Sequence, residues 1–220
     1  MTATAHHHFL PAMGQHGPLA LYDPFTRLLG ARRLQERLID QARLLPTDRV
    51  LDIGCGTGNL TLLAAKRYPA ATVVGLDPDP AALDRARRKA LRRNLTTTFD
   101  RGFAEQLPYP DGSFDVVLCS LALHHMSVEQ RVQALREVAR VLRPGGSFHL
   151  LEMAKGDATR PVNRLVHRSA RAHSWGELDI VAMMGHAGLA DPVDLGRAAK
   201  LLGTFAFYTA GSGVIDQQPA

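Results

Sequence analysis

The chain is poor in cysteine. Among its 220 residues only Cys55 and Cys119 are cysteines, and they form no CxxC pair. A disulfide scaffold and a cysteine-built zinc site are both excluded. Long apolar runs are missing as well. No stretch reaches the roughly 18 apolar residues of a spanning helix, so no integral membrane segment is expected. No basic region followed by an apolar core opens the chain, which predicts a cytoplasmic rather than a secreted protein. Aromatic residues are only 6%, leaving few platforms on which nucleic-acid bases stack. Acidic residues are outnumbered, 21 against 26 Lys and Arg, for a net charge of +5. That balance suits nucleic acid, an anionic surface or an anionic substrate, and does not choose among them.

What is present is ordinary for a folded domain. Hydrophobic residues are 45% and charged residues 21%, and the length fits one domain. We expect residues 1–45 to form an N-terminal arm and cap helix, 46–153 a core, and 154–220 substrate-covering helices and edge strands. In the arm, His6, His7 and His8 read as a solvated tract, because adjacent side chains rarely converge on one ion. No metal site is expected. Leu34, Leu38, Ala42 and Leu45 line one face of a helix predicted over 31–45 and closed by Pro46.

Strands and helices then alternate. Strands are predicted over 49–53, 72–76, 96–99, 114–120 and 147–152. Helices are predicted over 59–68, 80–94 and 128–142, the last with Val132, Leu135, Val138, Ala139 and Leu142 inward. Pro144-Gly145-Gly146 reads as the turn before the fifth strand. This alternation implies an α/β fold: a doubly wound, Rossmann-like, mostly parallel sheet with helices on both faces. Beyond it, helices are predicted over 159–172 and 178–187. Two last strands, 191–195 and 204–208, have no room for a helix between them and predict an antiparallel pair at the sheet edge, seven strands in all.

The strongest motif is VLDIGCGTGNL, residues 50–60. A strand runs into Gly54, Gly56 and Gly58, and a helix starts behind them. Glycine admits close backbone approach or a positive φ, and the helix N-terminus offers free N–H groups to a carboxylate or phosphate. In the dinucleotide fingerprint GxGxxG the third glycine falls at position 59, which is Asn59 here. The GxGxG spacing after Asp52 points instead to S-adenosylmethionine. Asp77 ends the next strand, nineteen residues after Gly58, where an acid holds ribose hydroxyls. The alternative is a strand-end Asp capping the next helix, a role that suits Asp79 better.

With these motifs on the page, the chain resembles the class I S-adenosylmethionine-dependent methyltransferases, in the subgroup typified by the quinone C-methyltransferases. VLDIGCGTGNL matches the first motif and GLDPDPAALDRARRKA the acidic second strand. FAEQLPYPDGSFDVVLCSLALHHM matches the fourth-strand block, and LREVARVLRPGGSFHLLE the fifth. The match covers about residues 20–153. The resemblance implies S-adenosyl-L-methionine as cofactor, with Gly54, Cys55, Gly56 and Gly58 along its methionine part and Asp52 near the ammonium. It implies Asp77 on the ribose and Pro78 near the adenine. Phe103, Ala104 and Glu105 stand at the adenine ring, where many members carry Asp in place of Phe103. Ser120 and Leu121 pass under the cofactor, and Tyr22, in YDPFTRLLG, covers it.

Methyl transfer from a sulfonium needs positioning and exclusion of water, and a base only where the nucleophile still holds a proton. His124 and His125 follow the fourth strand and are the candidate catalytic residues, His125 matching better the position nearest the cofactor. The competing reading is a packing feature. His149 and His186 read as core or surface residues, and Cys55 and Cys119 as small buried hydrophobes. The arginines and lysine of the helix 80–94 (Arg85, Arg87, Arg88, Lys89, Arg92, Arg93) read as a solvated face. Arg160, Arg164, Arg168 and Arg171 form one helical stripe that suits an anionic or membrane-delivered small molecule. The expected partners are that small molecule and a second copy in a homodimer. A nucleic-acid substrate is disfavoured, since SLALHH replaces the element of amino methyltransferases. A non-catalytic cofactor binder remains the alternative class, and an NAD-dependent oxidoreductase is disfavoured by Asn59.

Overall fold

The computed structural model describes residues 31–154, 179–200 and 203–213. Tyr22, the histidine triplet, the helix predicted over 159–172 and its arginine stripe lie outside the described residues. The elements, in chain order, are α1 (Ala31–Ala42), β1 (Arg49–Ile53), α2 (Asn59–Arg67), β2 (Thr72–Asp77), α3 (Pro80–Arg92), β3 (Thr98–Arg101) and β4 (Phe114–Ser120). A 3₁₀ turn (Leu123–His125) leads into α4 (Val128–Val141), β5 (Leu142–Met153), α5 (Ile180–His186), β6 (Leu189–Lys200) and β7 (Gly203–Ser212). The seven strands lie in the order β3-β2-β1-β4-β5-β7-β6. β1 to β5 pair in parallel, and β7 runs antiparallel to both β5 and β6.

Alternation along each strand feeds two cores, because successive side chains point to opposite faces. Leu51, Val117, Leu150 and Ala206 join a cluster with Leu135 and Val138 of α4 and Met183 and Met184 of α5. Their neighbours Val50, Val116, Leu151 and Phe207 join a second cluster with Leu34, Leu38 and Ile39 of α1 and Leu60 and Ala64 of α2. Covering both faces is what a parallel sheet requires. Each fully buried Leu or Phe contributes about 1.5–3 kcal/mol.

Four local readings change. α1 stops at Ala42, with Arg43 at φ +49°, before Pro46 is reached. β3 lies two residues later than the Thr96-Thr97-Thr98 run suggests, because it pairs with β2 from Val74↔Thr98 to Asp77↔Arg101. Pro144-Gly145-Gly146 lies inside β5, where the register with β4 slips between Phe114 and Val116. A Cβ on Gly146 would come within 2.8 Å of the Asp115 carbonyl oxygen. The α4 face carries Arg131, Ala134 and Val141 inside, while Val132 and Ala139 are only half-buried.

The order in which strands are added reverses between β1 and β4, which remain parallel. In open α/β sheets the ligand crevice lies outside the carboxyl ends of the strands at this switch point. The strands that close with Ile53, Asp77, Arg101, Ser120 and Met153 all end on that edge.

Candidate active site

The first wall of the crevice is made of backbone. Gly54, Gly56 and Gly58 have φ of +67°, +52° and +74°, the left-handed region that favours glycine. Their surroundings differ. A Cβ on Gly54 would overlap the Ala122 methyl, and one on Gly58 would come within 2.9 Å of Ala86 and the Phe99 ring. A Cβ on Gly56 would meet no described residue within 4 Å, so of the three this glycine alone faces open space among the described residues. Gly54 and Gly58 thus serve contacts within the protein, while Gly56 leaves room in the crevice.

Two acids brace this loop. The Asp77 carboxylate accepts from the Gly56 N–H at 2.8 Å and the Asp79 N–H at 2.9 Å. Each oxygen keeps a second lone pair for a ligand hydroxyl. Asp79 caps α3, accepting from the Ala81 N–H at 2.8 Å, the role expected of it. Asp52 lies beneath the loop and accepts from the Thr61 hydroxyl at 2.6 Å. Burial pushes its carboxyl up to about 7 and raises Asp77 as well. Behind the loop, the Lys89 ammonium donates to the Thr57 carbonyl at 2.8 Å, the Asn59 side-chain oxygen at 2.6 Å and the Thr57 hydroxyl at 3.3 Å.

The second wall is made of side chains. After Ser120, Leu121 takes φ +57°, a conformation that strains any residue but glycine. Its N–H donates to the Leu151 carbonyl at 2.8 Å. The chain then turns through Leu123–His125, beside the glycine loop by way of Ala122. Glu152, at the end of β5, is fully buried. Its carboxylate stands 2.7 Å from His124 Nδ1 and accepts from the His124 N–H at 3.3 Å and the Met153 N–H at 2.9 Å. Arg131, also buried, donates from Nε to the Leu123 carbonyl at 2.9 Å and fixes the same turn from below.

These contacts set opposite proton affinities on adjacent rings. Burial pulls His124 down, but the charge and hydrogen bond of Glu152 outweigh it and the net shift is upward. Burial pushes the Glu152 carboxyl up, and the His124 ring more than reverses this. His125 has no such partner: burial, with the positive His124 beside it, lowers it to about 4. The two ring centroids are 4.0 Å apart. Among the described residues no group of three or more His, Cys, Asp or Glu could hold a metal ion, and no helix is long and apolar enough to cross a membrane.

Comparison with known proteins decides what this crevice belongs to. A sequence model of the methyltransferase domain matches residues 50–146, which carry the glycine loop, Asp77 and the His124 turn. Demethylmenaquinone methyltransferase of Thermus thermophilus is 42% identical over 134 residues, 60% of each chain. Malonyl-[acyl-carrier protein] O-methyltransferase of Halorhodospira halophila is 40% identical over 186 residues, 78% of this chain and 57% of that protein. Residues 50–146 thus carry a methyltransferase domain, and the chain resembles the class I S-adenosylmethionine-dependent methyltransferases. It spans less than two thirds of the length of either relative. The fold is also that of phosphoethanolamine N-methyltransferase 2 of Haemonchus contortus in complex with S-adenosyl-L-methionine, at TM-score 0.70 and 14% identity over 82% of this chain and 52% of that one.

S-adenosylmethionine is the cofactor of this methyltransferase family, and the crevice fits it. Open space at Gly56, the spare lone pairs of Asp77 and the buried Ser120 Oγ, which has no hydrogen-bond partner among the described residues, all lie along one edge. Pro78 is half-buried beside Asp77. Phe103 is half-buried and bridges to Gln106, Ala104 is buried, and Glu105 accepts from the Gln130 side chain at 3.2 Å. Cys55 is a buried thiol packed with Leu62, Leu83 and Phe99, and Cys119 is buried on β4. Among the described residues, those expected at the cofactor thus gather at the carboxyl ends of β1 to β4.

Three residues of this site escape sequence reading. Glu152 has a signal, an acid inside the apolar run FHLLEM. Lys89 follows Ala82 by seven positions and Ala86 by three, so it shares their inward stripe rather than the solvated face expected of it. Arg131 has no such signal.

Proposed function

We propose that the chain methylates a small-molecule acceptor whose nucleophilic atom carries an acidic proton, of the quinol, phenol or enol kind, with His124 as the base. The relatives' names, one a demethylmenaquinone methyltransferase and one an O-methyltransferase, support a quinol-type or oxygen acceptor. A net charge of +5 suits an anionic or membrane-delivered molecule, encountered in the cytoplasm. Bound S-adenosylmethionine supplies a methyl on a sulfonium that leaves as a neutral thioether. The loop shaped by Gly54 and Gly58 receives its amino-acid half at Gly56, with Asp52 toward the ammonium. Asp77 takes the ribose, and Pro78, Phe103, Ala104 and Glu105 flank the adenine.

The observation that carries this reading is the contact of Gly54 with Ala122. It sets the cofactor loop directly against the turn that bears His124. Glu152 holds His124 Nδ1, leaving Nε2 as the ring nitrogen that takes the acceptor's proton. A base is most effective with an affinity near working pH, and Glu152 lifts His124 toward that range. This favours His124 over His125, whose affinity is too low to pull a proton from a phenol. His125 then serves as a neutral hydrogen-bond partner.

The test is turnover. The purified chain is given labelled S-adenosylmethionine with a demethylated menaquinol, simple phenols and RNA in parallel. Transfer to a quinol or phenol, lost in His124→Asn and retained in part in His125→Asn, is the expected result. Cofactor binding with no transfer would make the chain a non-catalytic binder, and transfer to RNA alone would replace the substrate class.

A further inference from the structure

Lys89 stands apart from the basic residues around it. Arg87, Arg88 and Arg92 on the same helix, and Arg93 just after it, are exposed, whereas Lys89 is 8% exposed. Burying an ammonium is costly unless its donors are satisfied. Lysine has three, and Thr57 O, Thr57 Oγ1 and Asn59 Oδ1 lie within 3.3 Å of Nζ. All three acceptors belong to the stretch between Gly56 and the first residue of α2. One turn back along α3, Ala86 packs where a Cβ on Gly58 would have to go. The helix therefore grips the rear of the loop at two points, one apolar and one charged. The front of the loop, at Gly56, faces the open crevice.

We infer that Lys89 is a positioning residue for the cofactor, holding from behind the loop that receives its amino-acid half. Gly58 caps α2 with no side-chain hydrogen bond, and each glycine in this loop is free to leave its left-handed well. Lys89 removes that freedom by pinning the Thr57 carbonyl between two of them. The helix that carries Lys89 begins directly after Asp77, Pro78 and Asp79. One rigid element thus joins the ribose end of the site to its amino-acid end. Lys89 itself touches neither.

This inference rests on the assignment of the glycine loop to the cofactor's amino-acid half, and the test separates the two. Binding of S-adenosylhomocysteine and of 5′-methylthioadenosine, which lacks the amino-acid half, is measured by calorimetry. Lys89→Met should raise the Kd of S-adenosylhomocysteine about tenfold, the loss expected for a hydrogen bond from a charged donor. The Kd of methylthioadenosine should stay within about twofold, and Lys89→Arg should recover part of the loss. Asn59→Ala should weaken S-adenosylhomocysteine alone, and by less on the Lys89→Met background than in the wild type. Ala90→Gly, on the same helix, controls for stability: it should lower Tm without changing either Kd. Wild-type protein that binds neither ligand would overturn the loop assignment. Wild-type binding with equal losses for both ligands, or none, in Lys89→Met would overturn the role of Lys89 alone. Should Lys89→Met fail to fold, Lys89→Arg and Asn59→Ala carry the same comparison.

Discussion

The two walls of the crevice are built from different materials. The β1–β3 wall is backbone: left-handed glycines, N–H groups and the carboxylate of Asp77 that gathers them. The β4–β5 wall is side chain: His124 on Glu152, with Arg131 beneath the turn. The first has one solution in sequence, since only glycine fits where a Cβ would strike Ala122 or Phe99. The second is assembled from residues 28 positions apart, which no local pattern links. Cofactor binding and proton transfer are thus separable, and substitutions on each wall should fail in different ways.

The largest effect is expected within the glycine wall. Gly54→Ala combines a left-handed φ with an overlap against Ala122, together about 2–5 kcal/mol. It should bring the protein close to unfolding in chemical denaturation. Gly56→Ala carries only the backbone cost, about 1–2 kcal/mol, because its Cβ meets no described residue. It should fold, yet raise the Kd of S-adenosylmethionine more than about tenfold by filling the cofactor's space. Normal binding by Gly56→Ala would show that the cofactor does not pass that glycine.

On the other wall, Glu152→Gln keeps the shape and removes the charge. It should leave the cofactor Kd unchanged and lower kcat about a hundredfold, within the range of general-base catalysis. It also carries a signature that a packing defect lacks. Glu152 is what raises His124, so its loss lowers the affinity of the ring for protons. The rising limb of kcat against pH should therefore move to lower pH. An unshifted limb would remove His124 from the reaction.

Much of the first wall was legible in the sequence, and little of the second. The alternation of strands and helices, the edge pair β6 and β7, and the loop after Ile53 follow from periodicity and from glycine's steric monopoly. Thr96, Thr97 and Thr98 carry no alternation, so pairing with β2 alone decides where β3 starts. A run of arginines hides one inward position, Lys89. The pairing of His124 with Glu152 is a tertiary fact. Each residue is visible alone, but nothing local says that β5 ends beneath the turn after β4.

The smallest effect sharpens the contrast through pH. Asp52, on the glycine wall, rises from 3.8 to about 7 on folding. Between those values the native state holds more protons than the unfolded chain, so stability falls as pH rises, and the loss is complete above about pH 7. His125, on the other wall, drops from 6.5 to about 4. Between these the unfolded chain holds more protons, so stability rises with pH and is fully present above 6.5. The two slopes oppose each other from about pH 4 to 6.5 in the cofactor-free protein, each worth at most about 1.4 kcal/mol per pH unit. His149, buried on β5, drops to about 4 as well and adds a second rising slope. The wild type should therefore climb in Tm across that window. Asp52→Asn leaves both histidine slopes, and its Tm should climb more steeply. His125→Asn leaves one histidine slope against the carboxylate, and its Tm should vary little over the same interval. At about 2–4 °C per kcal/mol for a chain of this size, both differences are within reach of thermal denaturation. Parallel curves for the two variants would mean that neither burial governs the titration assigned to it.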